Sequence, residues 1–444
     1  MAIQLSEHFD YRKLCRFTMP TIVMMIFTSV YSVVDGIFVS NFVGKTPFAA
    51  VNLIMPFLMI IGTFGFMVGT GGSAVVSKTM GEGNPERANR YFSLMIAFAI
   101  VGGLILTALG EIFLVNVVRL MGAKEGDMLR DCVLYGRIML LGTMPYILQN
   151  VFQSFLVTAE RPKLGLLLTV GAGLTNMALD FVFIAVFHWG LAGAALATIV
   201  SQIIGGGVPF VYFLRGNRSP LRLTRTRFEG RVLLKACTNG SSEMLSNVSM
   251  SLVSMLYNLQ LMRIAGEDGV AAYGVIMYVN FVFTAVFFGY SIGSAPVIGF
   301  HYGAQNCGEL KSLFTKSLTI IGISGMALTA LAVLLAAPLA GVFVGYDEAL
   351  LAMTSHGFRL YAVAFPVMGF NIFGSSFFTA LNDGAASAVI SFLRTFVFQI
   401  AAMLVLPNLL GLNGIWLAIG AAEAAAMAVT AGLLAKKRKL YGYA

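Results

Sequence analysis

A chain of 444 residues in which 58% are apolar and only 11% charged cannot be an ordinary soluble globule, where about one residue in four is charged. With a mean hydropathy of +0.84 it reads as an all-α polytopic membrane protein. The net charge of +9 raises nucleic acid as a partner, and the placement of the basic residues decides that question.

The chain opens on polar and charged residues, without the short cleavable apolar region of a signal peptide. Its first hydrophobic segment is therefore expected to stay as a membrane helix. A span needs about 20 mostly apolar residues. Breaks at charged or Pro/Gly-rich positions predict twelve spans, near 14–42, 48–77, 92–118, 132–158, 164–187, 190–214, 234–263, 270–300, 313–343, 350–381, 386–407 and 412–434.

The first span contains "SVYSVVDGIFVSNFVG", with Asp35 at its centre and no Lys or Arg nearer than Lys45. A carboxylate inside a helix span costs about 2.5–3.5 kcal/mol, so it persists where it faces a cavity or a partner. Tyr31 lies one turn before Asp35 on the same face, and Pro20 earlier in the span supplies hinge material. After the second span comes "GEGNPERAN". The fourth span carries Asn150 and Gln153. The fifth, "GLTNMALDFVFI", places Asn176 and Asp180 on one face, and the sixth carries Thr198. Asp35 and Asp180 fall at similar depths in spans running the same way. Two such carboxylates cannot both stay charged in low dielectric without a counterion, so the group suits a proton or Na⁺.

An Arg-rich stretch, 215–233, divides residues 1–214 (spans one to six) from residues 234–444 (spans seven to twelve and a basic tail). Most of the 29 basic residues fall in this stretch and in the other loops on the side of the termini. The positive-inside rule then puts both termini in the cytoplasm. The same distribution explains the net charge and excludes nucleic acid. In the seventh span Glu243 stands about nine residues in, either as a substrate counter-ion near the midplane or as a carboxylate reaching back to the cytoplasmic face.

The two halves repeat. A shift of 222 matches Gly44 to Gly266, Gly71 to Gly293, Gly81 to Gly303 and Asn84 to Asn306. A shift of 221 lays "PYILQNVFQSFLVTA" over "PVMGFNIFGSSFFTA". Six spans per copy mean that both copies enter from the same side, the parallel-repeat transporter architecture with its site at the repeat interface. Asp35 maps to Tyr257 and Asp180 to Ala401, so ion coupling is expected in the first half alone. Four scattered cysteines, no HExxH and no P-loop leave no metal cluster, disulfide framework or ATPase site, and no enzyme is expected.

"YSVVDGIFVSNFVG", "GEGNPERAN" and "NMALDFVFI", set in twelve spans and two halves, resemble the multidrug and toxic compound extrusion (MATE) family. Within it the chain looks nearer the DinF-like and MepA-like bacterial branch than the plant or animal members. The resemblance implies antiport at the plasma membrane, with H⁺ or Na⁺ entering while a cationic amphiphile leaves. It implies no cofactor, contact with membrane lipids and action as a monomer. It carries the cation site to Asp35, Asn176, Asp180 and Thr198, with Tyr31, Asn150 and Gln153 beside it, and a hinge to Pro20. Glu243 resembles an acidic residue that some members carry in the seventh span. A tenth-span acidic residue of some members has no match here. A lipid-linked oligosaccharide flippase of the same superfamily is the alternative. It would need several cavity cations for pyrophosphate, and only Arg137, Arg359 and Arg394 lie within or near spans.

Overall fold

Apolar segments placed in hydrocarbon must satisfy their backbone groups internally, and here they do so as helices, with no strand among the described residues. The computed structural model describes residues 3–43, 45–123 and 125–443. The side chains at 32, 33, 35–42, 45, 46, 48 and 49 lie outside that description. The first half contains α1 (Tyr11–Phe42), α2 (Lys45–Gly81), α3 (Pro85–Leu120), α4 (Asp127–Leu141), α5 (Thr143–Thr158), α6 (Pro162–Asp180) and α7 (Gly190–Leu214). A π-helical turn, Phe181–Val186, continues α6. The second half contains α8 (Gly230–Gly303), α9 (Cys307–Val344), α10 (Glu348–Ala362), α11 (Phe365–Ala380), α12 (Gly384–Phe392), α13 (Phe398–Leu410) and α14 (Leu412–Tyr441). Here the π turn, Leu393–Val397, joins α12 to α13.

Among the described residues nine helices are long and apolar enough to cross a membrane, and α10 with α11, bent by 50°, makes a tenth. The 74-residue α8 is two spans, broken at Gly266 (φ 63°, ψ −151°), a conformation that costs glycine little. α4 and α5, each too short alone, complete the expected twelve across Gly142. The repeat is visible in the caps. Asn84 accepts the Arg87 N–H at 3.0 Å and Asn306 accepts the Glu309 N–H at 3.1 Å, two residues matched by the internal shift.

The ends of the helices that carry the termini gather on one face. There Arg161 donates to the Arg218 carbonyl at 2.9 Å, the Arg222 N–H donates to Asn89 Oδ1 at 2.6 Å, and Lys437 pairs with Asp383. The segment between α7 and α8 is thus strapped along the start of α3. Towards this face the halves touch most closely where α2 meets α8. Helix association in lipid relies on close van der Waals approach at small residues. A Cβ added to Gly240 would lie 1.9 Å from the Met67 carbonyl oxygen, and one on Gly303 would lie 2.0 Å from that of Lys78.

Candidate functional site

A cavity of about 310 Å³ lies between α1, α2, α4, α5, α6 and α7 of the first half, and Asn247 of α8 in the second half completes its wall. Tyr31 reaches it from α1, Asn150 and Gln153 from α5, Asn176 from α6 and Thr198 from α7. Five residues singled out in four separate spans therefore share one chamber. Its remaining walls are soft and aromatic, with Met25, Met59 and Met139 beside Tyr135, Tyr146 and Phe66. Such side chains adapt to flat or irregular apolar cations, and the aromatic faces attract positive charge.

Three amide side chains of this chamber are short of partners among the described residues. Both amide atoms of Asn176 are buried with no hydrogen-bond partner among the described residues, as are Nδ2 of Asn150 and Oε1 of Gln202. Buried amides are normally satisfied, so this set leaves hydrogen-bonding capacity facing the chamber. Asp180, one turn beyond Asn176, is wholly buried where α6 gives way to its π turn. Wide turns of this kind recur at functional sites. Asp35 belongs to α1, and its side chain lies outside the described residues.

Glu243 stands apart from this chamber. It lines a separate, small space of about 30 Å³, with room for water but not for a drug-sized molecule. Thr70, Ser73 and Ser154 of the first half meet Ser291, Ser376 and Thr379 of the second around it. Pro20 is also elsewhere, on the outer side of α1 next to Arg16 and Lys163. No group of three or more His, Cys, Asp or Glu that could hold a metal ion occurs among the described residues.

The second half closes the equivalent place with its own charges. Arg394 Nε donates to Glu423 Oε1 at 2.8 Å, and Asn371 Nδ2 donates to Glu423 Oε2 at 2.7 Å. Thr430 donates to Asn371 Oδ1 at 2.8 Å. Under the 221-residue shift Asn371 corresponds to Asn150 and Glu423 to Gln202, so the positions left unpartnered in one half are saturated in the other. Gln149, Gln202 and Tyr146 were not among the residues singled out in the sequence. The helical spacings Gln149/Gln153, Tyr146/Asn150 and Thr198/Gln202 were the available signal.

Twelve spans in two parallel copies, with a chamber lined mainly by one copy and a seam between the two, define an integral membrane transporter. The MatE family model matches residues 20–182 and again 244–405, and the chain belongs to that family. The multidrug export protein MepA of Staphylococcus saprophyticus is 21% identical over 410 residues, 91% of this chain and 89% of that protein. The probable multidrug resistance protein YoeA of Bacillus subtilis is 25% identical over 354 residues, covering 77% and 75%. Among solved structures, an outward-facing multidrug resistance MATE transporter of the MOP superfamily superposes with a TM-score of 0.93 at 23% identity, over 100% of this chain and 99% of that one. A MOP superfamily transporter from Pyrococcus furiosus gives 0.91 at 23% identity, over 98% and 97%. These likenesses carry the fold.

Proposed function

We propose that this chain is a secondary active exporter that moves cationic amphiphiles out of the cell against inward H⁺ or Na⁺, with both termini cytoplasmic. One observation carries the reading: among the described residues the Asn176 amide and the Gln202 Oε1 stand unpartnered at the chamber, while Arg394 and Glu423 neutralise the corresponding place in the second half. In this reading Asp180 and Asp35 take up the ion, Asn176 and Thr198 add neutral oxygens, and Tyr31, Asn150 and Gln153 face the substrate. A carboxylate neutralised by H⁺ or Na⁺ no longer holds an organic cation, which makes uptake of one the condition for release of the other. The membrane potential adds about 2.3 kcal/mol per charge per 100 mV to inward cation movement. The commitment of Arg394 to Glu423 counts against the flippase alternative, because it removes a cation that pyrophosphate would need.

The test is dye accumulation in everted vesicles under a pH gradient alone and then a Na⁺ gradient alone. Wild type should accumulate dye under at least one gradient. Asp35→Asn and Asp180→Asn should fall to the level of a collapsed gradient. Accumulation by either variant equal to wild type removes the role assigned to that carboxylate.

A further inference from the structure

On the face that carries the termini, the start of α1 and the start of α6 leave a cleft between them. Its inner part, about 340 Å³, is lined by Arg16, Arg161 and Lys163. Its outer part, about 500 Å³, runs along the helices between Met19 and Val23 of α1 and Leu167 of α6. The two parts share Arg16, Pro20, Lys163 and Leu167, so they are one continuous groove with volumes in the usual range of ligand sites, roughly 300–1,000 Å³. Met19, Val23 and Leu167 are 50%, 41% and 69% exposed, as expected of side chains that meet hydrocarbon. None of the three cations has an ion-pair partner within 4.0 Å among the described residues. Arg161 is held in place by its bond to the Arg218 carbonyl. The one carboxylate in this lining, Glu160, accepts the Leu5 N–H of the amino-terminal segment at 2.8 Å.

We propose that this groove binds an anionic glycerophospholipid from the leaflet on the side of the termini. Its phosphate would lie between Arg16, Arg161 and Lys163, and an acyl chain would run past Met19, Val23 and Leu167. The chemistry is that of a basic pocket between membrane helices, where guanidinium and ammonium groups meet phosphate oxygens at the water interface and the rest of the ligand stays in the hydrocarbon. A free phosphate would use the cations and leave the apolar half of the groove idle; a neutral lipid would do the reverse. The inference rests on the membrane fold and does not depend on which ion drives transport.

The experiment uses the full chain in nanodiscs of mixed phosphatidylcholine and phosphatidylglycerol, with retained lipids counted by native mass spectrometry. Wild type should retain phosphatidylglycerol in preference to phosphatidylcholine, and soluble glycerol phosphate should not displace it. Arg16→Gln with Lys163→Gln should lower that preference about 25-fold, each cation at a membrane surface being worth roughly fivefold. Val23→Trp with Leu167→Trp should also lose the lipid although every cation remains. Arg90→Gln with Arg225→Gln, on another basic part of the same face, should leave the preference unchanged. Equal retention of the two lipids by wild type overturns the proposal, whatever the variants do. So does displacement by glycerol phosphate, retention after the tryptophan substitutions, or an equal loss in the Arg90/Arg225 pair.

Discussion

Arg394 and Glu423 show at the level of single residues how the two copies diverged. Their side chains are 11% and 1% exposed, and Asn371 and Thr430 complete the network. Removing one member of a buried pair leaves an uncompensated charge, at a cost of about 3–5 kcal/mol. Glu423→Gln is therefore expected to lower the thermal midpoint of the purified protein clearly, and Arg394→Met with Glu423→Leu to recover most of it. Equal midpoints for Glu423→Gln and wild type would show that the pair is not holding the second half closed. Tyr31, Asn150, Gln153, Asn176 and Thr198 were legible in the sequence because polar side chains inside apolar spans stand out. Their meeting in one chamber was not, since that depends on how α1, α5, α6 and α7 are rotated about their axes. Glu243 stood out for the same reason, yet the fold puts it at the seam between the halves.

At the scale of elements, glycine sets how closely helices from the two halves approach. Gly240 admits the Met67 carbonyl and Gly303 that of Lys78, and neither contact survives a methyl group without backbone movement. Gly240→Ala should therefore prop the halves apart on the terminal face. Spin-label distances across α2 and α8 should widen there, and gradient-driven export should fall with them; unchanged distances would refute this role. The tail helix α14 is held differently. Asp383 pairs with Lys437, accepts the Tyr441 hydroxyl at 2.8 Å, and accepts the Ala386 N–H at 3.2 Å as the cap of α12. Burial works to raise the Asp383 pKa, but these three donors outweigh it and hold the carboxyl below its ordinary value. A folded-state pKa below the unfolded one gives stability that is present above about pH 4 and lost as the pH falls through the folded value. Wild type should accordingly lose thermal stability faster than Asp383→Asn on acidification below about pH 4. Parallel curves for the two would show that the ion pair contributes nothing measurable.

For the whole molecule, the amino-terminal segment ties the copies together on the face of the termini. Leu5 donates to Glu160 in the first half, while the Phe9 N–H reaches Glu309 Oε1 in the second at 2.9 Å, with His8 Nδ1 2.6 Å from Glu309 Oε2. Leu5 and Phe9 are fully buried in this position. Deleting residues 2–9 should raise hydrogen exchange together in the α5–α6 loop and the first turn of α9, and should increase passive leak of dye. A rise in only one of the two would mean that the segment braces a single half.

Membrane class, the twelve spans, the duplication and the missing Asp35 and Asp180 counterparts in the second copy can all be read from the order of residues. Hydrocarbon enforces these through length, polarity and pairing of backbone groups, and all of them are written along the chain. Packing in three dimensions was needed to show that five polar residues from four spans open onto one chamber, that Arg394 neutralises Glu423 in the opposite half, and that a basic cleft lies beside Pro20. Those outcomes depend on helix rotation and on approach distances within about an ångström, which residue spacing along one helix cannot specify.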